Sequence, residues 1–223
     1  LHEEILLLAL DDEKGTIGMG SLWNQAAGGA MVAELMLAGR VTVGDQKKGT
    51  LAVLDATPVG DPLLDQALAE IAAREKPRKG SDWVQHFAGW KKLHHRIAGE
   101  LVRKRVLREE EGKVLWIFDT VHYPERDGRH EREVIRRLRE AIFTDRDDVT
   151  PRTMVLVTLA DAAGLLGEVF DKKQLKGRKE RLKAIREGEA AGQMTRDAIE
   201  AVQTAMMVAA VVPTMVVATS SGN

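Results

Sequence analysis

Residues Val114 to Phe118, VLWIF, form an unbroken apolar run directly downstream of a strongly cationic segment. Between Lys91 and Arg108 there are seven Lys or Arg and one acidic residue, Glu100. Successive side chains of a strand point to opposite faces, so five apolar residues in a row leave a second apolar face to be covered. Another helix of the chain, a second copy of it, or a bilayer can supply that cover. A cluster of cations beside such a ribbon matches a surface that is anionic at the headgroups and oily beneath, which is a membrane.

The neighbouring residues set the expected local structure. Leu93, Ile97 and Leu101 recur at i, i+4 and i+8, which predicts a helix with its basic residues in water. Leu107 and the Val114 to Phe118 run, split by REEEGK, predict a β-hairpin with Gly112 near its turn and an acidic tip.

With 44% hydrophobic and 30% charged residues in 223, the chain reads as folded, and one domain over residues 1–223 is expected. Absence of Cys excludes disulfides and thiolate metal sites and suits a reducing compartment. The net charge of −1 hides an asymmetry: residues 1–75 carry 5 basic and 12 acidic residues, the remainder 28 and 22. Such a dipole orients a protein at an anionic surface, while overall neutrality argues against nucleic-acid coating. LHEEILLLALDDE is acidic on both sides of its apolar run, unlike a secretory signal. The apolar run from Ala205 to Ala218 has 14 residues and is interrupted by Pro213, short of the roughly 20 needed to span a bilayer. A buried helix that breaks near Pro213 is expected there, and the location expected for the protein is cytoplasmic, peripheral on the cytoplasmic face of a membrane.

Along the chain, residues 2 to 10 predict a helix that ends in DDEKG, and Gly15, Gly18 and Gly20 form GxxGxG, which is not the dinucleotide fingerprint. From Trp23 to Ala38 the small residues Ala26, Ala27, Gly28, Gly29, Ala30 and Ala33 predict a helix that others approach closely, closed by Gly39 as a left-handed cap. Arg40 to Val43 and Thr50 to Asp55 predict a first hairpin. Leu63, Leu64, Ala67, Leu68 and Ile71 mark a helix capped by Asp61 with Pro62 at its first position. REKPRKGSD reads as an exposed loop, with Ser81 or Asp82 capping a helix that carries Trp83, Val84 and Phe87. A faint repeat pairs Glu34-Leu35, Arg40-Val41 and GTLAVLD with Glu100-Leu101, Arg105-Val106 and GKVLWIFD, each unit a helix feeding a hairpin.

Further on, Arg129 to Phe143 is predicted helical with Val134, Leu138, Ala141 and Ile142 inward. Thr150 or a neighbour starts an apolar helix running from Met154 through Leu166. Residues 172 to 186 carry eight Lys or Arg against Glu180, and most of these read as a solvated helix face. Ile199 to Val212 is apolar nearly all round and is placed at the centre of a bundle.

No catalytic chemistry is legible. None of His2, His86, His94, His95, His122 and His130 stands in a metal-ligand spacing, and GxSxG, GxxxxGK[ST] and a Cys nucleophile are all lacking. Asp11-Asp12 and Glu109 to Glu111 are turn carboxylates without apolar context to raise a pKa. A protein that is no enzyme, with no metal and no cofactor, is expected.

The order of several segments resembles the Golgi phosphoprotein 3 family, or GPP34 domain: EEILLLALDDEKG at 3–15, SLWN at 21–24, MVAELMLAGRV at 31–41, DATPVGDPLLDQALAEI at 55–71, LVRKRVL at 101–107 and PRTMVLVTLADAAGLL at 151–166. The resemblance implies a mainly α-helical fold, a central apolar helical bundle wrapped by amphipathic helices, with one or two β-hairpins. It also implies a peripheral membrane protein that binds phosphatidylinositol 4-phosphate, inserts an apolar hairpin into the bilayer and holds membrane-anchored client proteins. Ala, Gly and Arg richness suggests a bacterial member.

By the same resemblance the family's headgroup site, a Trp and three Arg, falls on particular residues here. Trp23 of SLWN is the counterpart of the Trp once a small insertion and a deletion are allowed; without gaps Met19 takes the place. The first Arg falls on Gly28, the other two on Lys91 and His94, with Arg96 a nearby basic match. Lys lacks the bidentate fork of Arg, and His is only partly charged near neutral pH, so anionic phospholipid in general is the expected ligand. Headgroup binding is therefore expected at Trp23, Lys91, His94 and Arg96, and membrane insertion at Leu115, Trp116, Ile117 and Phe118. Two other readings compete: a winged-helix-like nucleic-acid binder, disfavoured by an acidic REEEG tip, and a protein adaptor forming a homo-oligomer through the hairpin.

Overall fold

The computed structural model describes residues 1–11, 16–17, 22–45, 47–114, 118–189, 191–193 and 195–203, with the backbone alone for 112–114 and 118–120. In chain order the elements are α1 (His2–Ala9), α2 (Trp23–Leu37), β1 (Val41–Asp45), β2 (Thr50–Val53), α3 (Pro62–Ala72), α4 (Gly80–Ala88), α5 (Leu93–Arg103), β3 (Glu110–Val114), β4 (Phe118–His122), α6 (Arg129–Phe143), α7 (Pro151–Ala162), α8 (Leu166–Val169), α9 (Lys172–Gly177) and α10 (Lys179–Glu187). Residues 195–203 are again helical. The fold is mainly α, with two antiparallel hairpins, β1–β2 and β3–β4.

Small side chains place α2 at the centre. A Cβ added to Gly28 would stand 2.5 Å from the Val84 carbonyl oxygen and 2.9 Å from the Ala88 nitrogen, so α4 lies directly against this face. On the next residue, Gly29, it would meet Leu159 of α7 at 3.0 Å. Helix α7 is apolar nearly all round and buries every residue from Thr153 to Ala160, as a central helix must. The wrapping helices are amphipathic: α6 turns Val134, Leu138, Ala141 and Ile142 inward, as its periodicity predicts. Ile199 and Val202 are buried too, while the rest of the expected C-terminal helix, from 204 on, and the GxxGxG glycines lie outside the described residues.

Buried charged groups of α1, α2, α6 and α7 meet in one network. Glu34 of α2 receives Arg152 Nη1 of α7 at 2.8 Å and His2 Nδ1 of α1 at 2.7 Å. Glu4 of α1 meets Arg152 Nη2 at 2.9 Å and also Arg137 of α6. Burial by itself would raise both carboxyls, but the His2 hydrogen bond and nearby cations at Glu34, and the surrounding cations including Arg152 and Arg137 at Glu4, overcome it and hold both below the ordinary glutamate value of 4.5. A depressed carboxyl stabilises the fold above its unfolded pKa and loses that stabilisation as pH falls through the folded value. Urea unfolding should accordingly show stability falling progressively as pH drops below about 5, and Glu34→Gln should show a shallower loss than the wild type. Equal slopes would contradict this role for Glu34.

The caps predicted at Asp61, Thr150 and Gly39 are found. Asp61 accepts from the Leu63 and Leu64 amides at 3.0 and 3.1 Å, with Pro62 at the first position, and Thr150 accepts from the Thr153 amide at 3.3 Å. Gly39 closes α2 with φ +67. The two helix-to-hairpin units share this closure: Arg40 N bonds Leu35 O at 2.9 Å and Val106 N bonds Leu101 O at 2.8 Å. Arg105, with φ 61, therefore occupies the place of Gly39, one residue off the register that the sequence repeat implies.

Three expectations are corrected. Gly112 is not at a turn: it pairs with Thr120, and the ladder continues to Val114↔Phe118. Glu110 pairs with His122 at the far end of the ladder, so REEEG is not the tip, and the residues connecting the strands are Leu115, Trp116 and Ile117, which lie outside the described residues. Backbone pairing along five residues outweighs the turn preference of one glycine. Neither Ser81 nor Asp82 caps α4, which starts at Gly80 because Leu51 N bonds Arg78 O and Gly80 N bonds Gly49 O, both at 2.9 Å, fixing its start to the first hairpin. The helix predicted through Leu166 stops at Ala162, and the chain turns at left-handed Gly164 before α8. Most of the 172–186 cations are exposed, as expected, while half-buried Arg178 and Arg181 donate to the Ile142 and Ala141 carbonyls at 2.8 and 3.0 Å, satisfying the end of α6.

Candidate functional site

The turn from α4 into α5 concentrates unpaired positive charge. Trp90 N bonds Phe87 O at 3.1 Å and Leu93 N bonds Trp90 O at 3.2 Å, a tight turn that leaves Lys91 and Lys92 exposed. Lys92 is the residue before α5, held at φ 56 and ψ 34, and its side chain makes no capping hydrogen bond. Leu93 N is taken by Trp90 O, and the amides that follow it in the first turn of α5 carry the positive end of the helix dipole. Among the described residues neither lysine has a carboxylate partner.

Trp23 and His94 come together here. Their rings meet edge to face at 6.0 Å, and His94 in turn lies 3.8 Å from His95. Trp23 is only 9% exposed, so it is a wall of the site with one edge available. Burial first, then the neighbouring His95, push the His94 pKa below the ordinary imidazole value, so His94 is neutral near pH 7 and contributes a polar edge, not a cation. His95 Nδ1 is 2.8 Å from the Tyr123 hydroxyl. Because Tyr123 follows β4 directly, this contact sets the base of the β3–β4 hairpin beside the first turn of α5.

Arg96 is not brought to that cluster. Two residues from His94, it turns toward α3, where its guanidinium lies 4.6 Å from the Trp90 ring centre and donates to Gln66 Oε1 at 2.6 Å. That contact continues through Gln66 Nε2 to Glu70 at 2.9 Å and from Glu70 to His86 at 2.6 Å. An open cavity of about 500 Å³ between α3 and α4 is lined by Arg74, Lys76 and Arg78 together with Glu70, Glu75 and His86, apart from the Trp23 cluster. Gly28, on which a family Arg would fall, is buried against α4 and offers no place for a side chain.

Lys92 is the residue that sequence reading left out. Its signal was present: KK directly before an apolar stripe, with no Ser, Thr, Asp or Asn to cap the helix. Of the other cations nearby, Arg103 pairs with Glu100, Lys104 with Glu3 at 2.7 Å, and Arg108 with Glu110 at 3.8 Å. Exposed Arg105 has no carboxylate partner among the described residues. Leu115, Trp116 and Ile117 lie outside the described residues, and of Phe118 only the backbone is described.

These features define a class: a helical bundle with a mostly apolar central layer, in which a cationic helix start sits beside the base of a hairpin. The chain belongs to the Golgi phosphoprotein 3 (GPP34) family, whose model matches residues 1–202. It is similar to vacuolar protein sorting-associated protein 74 of Eremothecium gossypii, 29% identical over 158 residues, which are 62% of this chain and 47% of that protein. The chain thus spans about half the length of this curated relative. No described helix is long and apolar enough to cross a membrane.

Proposed function

We propose that this chain is a peripheral membrane protein that binds anionic phospholipid headgroups at the start of α5. Lys91 and Lys92 supply the charge, the amides after Leu93 in the first turn of α5 supply donors, and Trp23 with His94 walls the site. Arg96 braces the turn from the side of α3. Leu115, Trp116, Ile117 and Phe118 enter the hydrocarbon, each buried side chain contributing roughly 1.5 to 3 kcal/mol. The observation that carries this reading is the pair of exposed, unpaired lysines on an uncapped helix start, next to the hairpin base.

Phosphatidylinositol 4-phosphate is the headgroup that family membership favours. Two lysines act as point charges and not as planar forks, which favours anionic phospholipids over a single inositide. Membrane-anchored client proteins would then meet the chain on the same leaflet. Sedimentation with phosphatidylcholine vesicles, with and without phosphatidylserine or phosphatidylinositol 4-phosphate, tests the proposal. Binding should require acidic lipid and weaken as salt rises. Equal binding to neutral vesicles, or none to either, contradicts it.

A further inference from the structure

At the other end of the bundle, a histidine stands with one nitrogen unused. His2 is 2% exposed, and its Nδ1 is 2.7 Å from Glu34 Oε2. Its Nε2 is buried with no hydrogen-bond partner among the described residues and faces Asp61 Oδ2 at 3.5 Å. Asp61 uses its Oδ1 to cap α3, which leaves Oδ2 available. A carboxylate oxygen of Glu3 completes the group, the three donor atoms lying within 4.8 Å of one another. Nε2 therefore has a carboxylate oxygen in front of it and, among the described residues, no hydrogen bond, an arrangement that a bound cation would complete.

The geometry points to a divalent metal site formed by His2 Nε2, Asp61 Oδ2 and Glu3, with Glu34 orienting the imidazole from behind. A metal bonded at about 2.0–2.2 Å to nitrogen and oxygen holds the two donors roughly 3.0–3.5 Å apart, which is the His2–Asp61 separation. Glu3 needs to close by about 1 Å and to share its carboxylate with Lys104, which now holds both oxygens at 2.7 and 2.9 Å. One imidazole and two carboxylates suit zinc or manganese, and zinc is the tighter of the two. A carboxylate on the second ring nitrogen is the usual support for a ligating histidine. The ion would join α1 to the start of α3, a connection assembled from residues 58 positions apart in sequence, and no local spacing announces it.

Equilibrium dialysis of the full, untagged chain against Zn²⁺ near neutral pH, followed by metal analysis, tests the site. The wild type should retain one equivalent and show a zinc-dependent rise in Tm. Asp61→Asn keeps an oxygen for the helix cap but removes the ligand, so it should stay folded and lose at least about tenfold in zinc affinity together with the Tm rise. His2→Gln should behave alike, and Glu34→Gln should lose about 10- to 100-fold. No bound zinc in the wild type overturns the proposal. So does an undiminished affinity in Asp61→Asn, which would put the ion on other histidines such as His94 and His95.

Discussion

Reversing both charges at the start of α5, Lys91→Glu with Lys92→Glu, should abolish sedimentation with acidic vesicles while leaving the fold intact. Both side chains are exposed, and neither has a carboxylate partner among the described residues, so the native structure loses no ion pair there. Each unit charge near an anionic leaflet is worth about 1 kcal/mol, and the double reversal changes four units, which amounts to roughly a thousandfold in affinity. The helix start becomes acidic, which stabilises α5 slightly through its dipole, so weaker binding is not an unfolding artefact. Circular dichroism and Tm should match the wild type within about 2 °C. Retained binding to acidic vesicles would show that the headgroups are held elsewhere.

Gly28→Arg should not create a phosphate ligand; it should break the bundle. The Cβ alone would overlap the Val84 carbonyl at 2.5 Å and the Ala88 nitrogen at 2.9 Å, and both are backbone atoms that cannot swing aside. Either α2 and α4 separate along their whole contact or the buried guanidinium goes unsolvated, and both cost more than the about 1–3 kcal/mol of an ordinary overpacked core. For a chain of this size that is a fall in Tm of at least about 6 °C, readable by thermal melt. Gly28→Ala should fall by less, in the same direction. A Gly28→Arg variant as stable as the wild type, with tighter binding to acidic vesicles, would overturn the assignment of this position to packing.

Much of the bundle was legible because its signals are local. The small-residue run around Gly28, the Asp61-Pro62 cap and the 3.6-residue stripe of α6 each need only a few consecutive residues to make their case. The places where reading failed are those where a distant segment decides. Helix α4 starts where the first hairpin pins Gly80, not where Ser81 or Asp82 could cap it. Gly112 lies within the ladder because Thr120 pairs with it. In the site, Trp23 and His94 are 71 positions apart in sequence, and resemblance to a family, not spacing, brought them to notice. The turn of Arg96 toward Trp90 and Gln66 depends on α3 and α4 and could not be read from α5.

Quenching of tryptophan fluorescence by bromines on the acyl chains of phosphatidylserine vesicles tests the central claim most directly, because it asks whether the hairpin residues reach hydrocarbon while the α5 lysines hold the surface. Trp116 is one of 4 tryptophans, and Trp23 and Trp83 are buried in the bundle. The account predicts clear quenching in the wild type, its near-complete loss in Trp116→Phe, and no quenching in Lys91→Glu with Lys92→Glu. Quenching that is absent in the wild type, or that persists unchanged in Trp116→Phe, would contradict it.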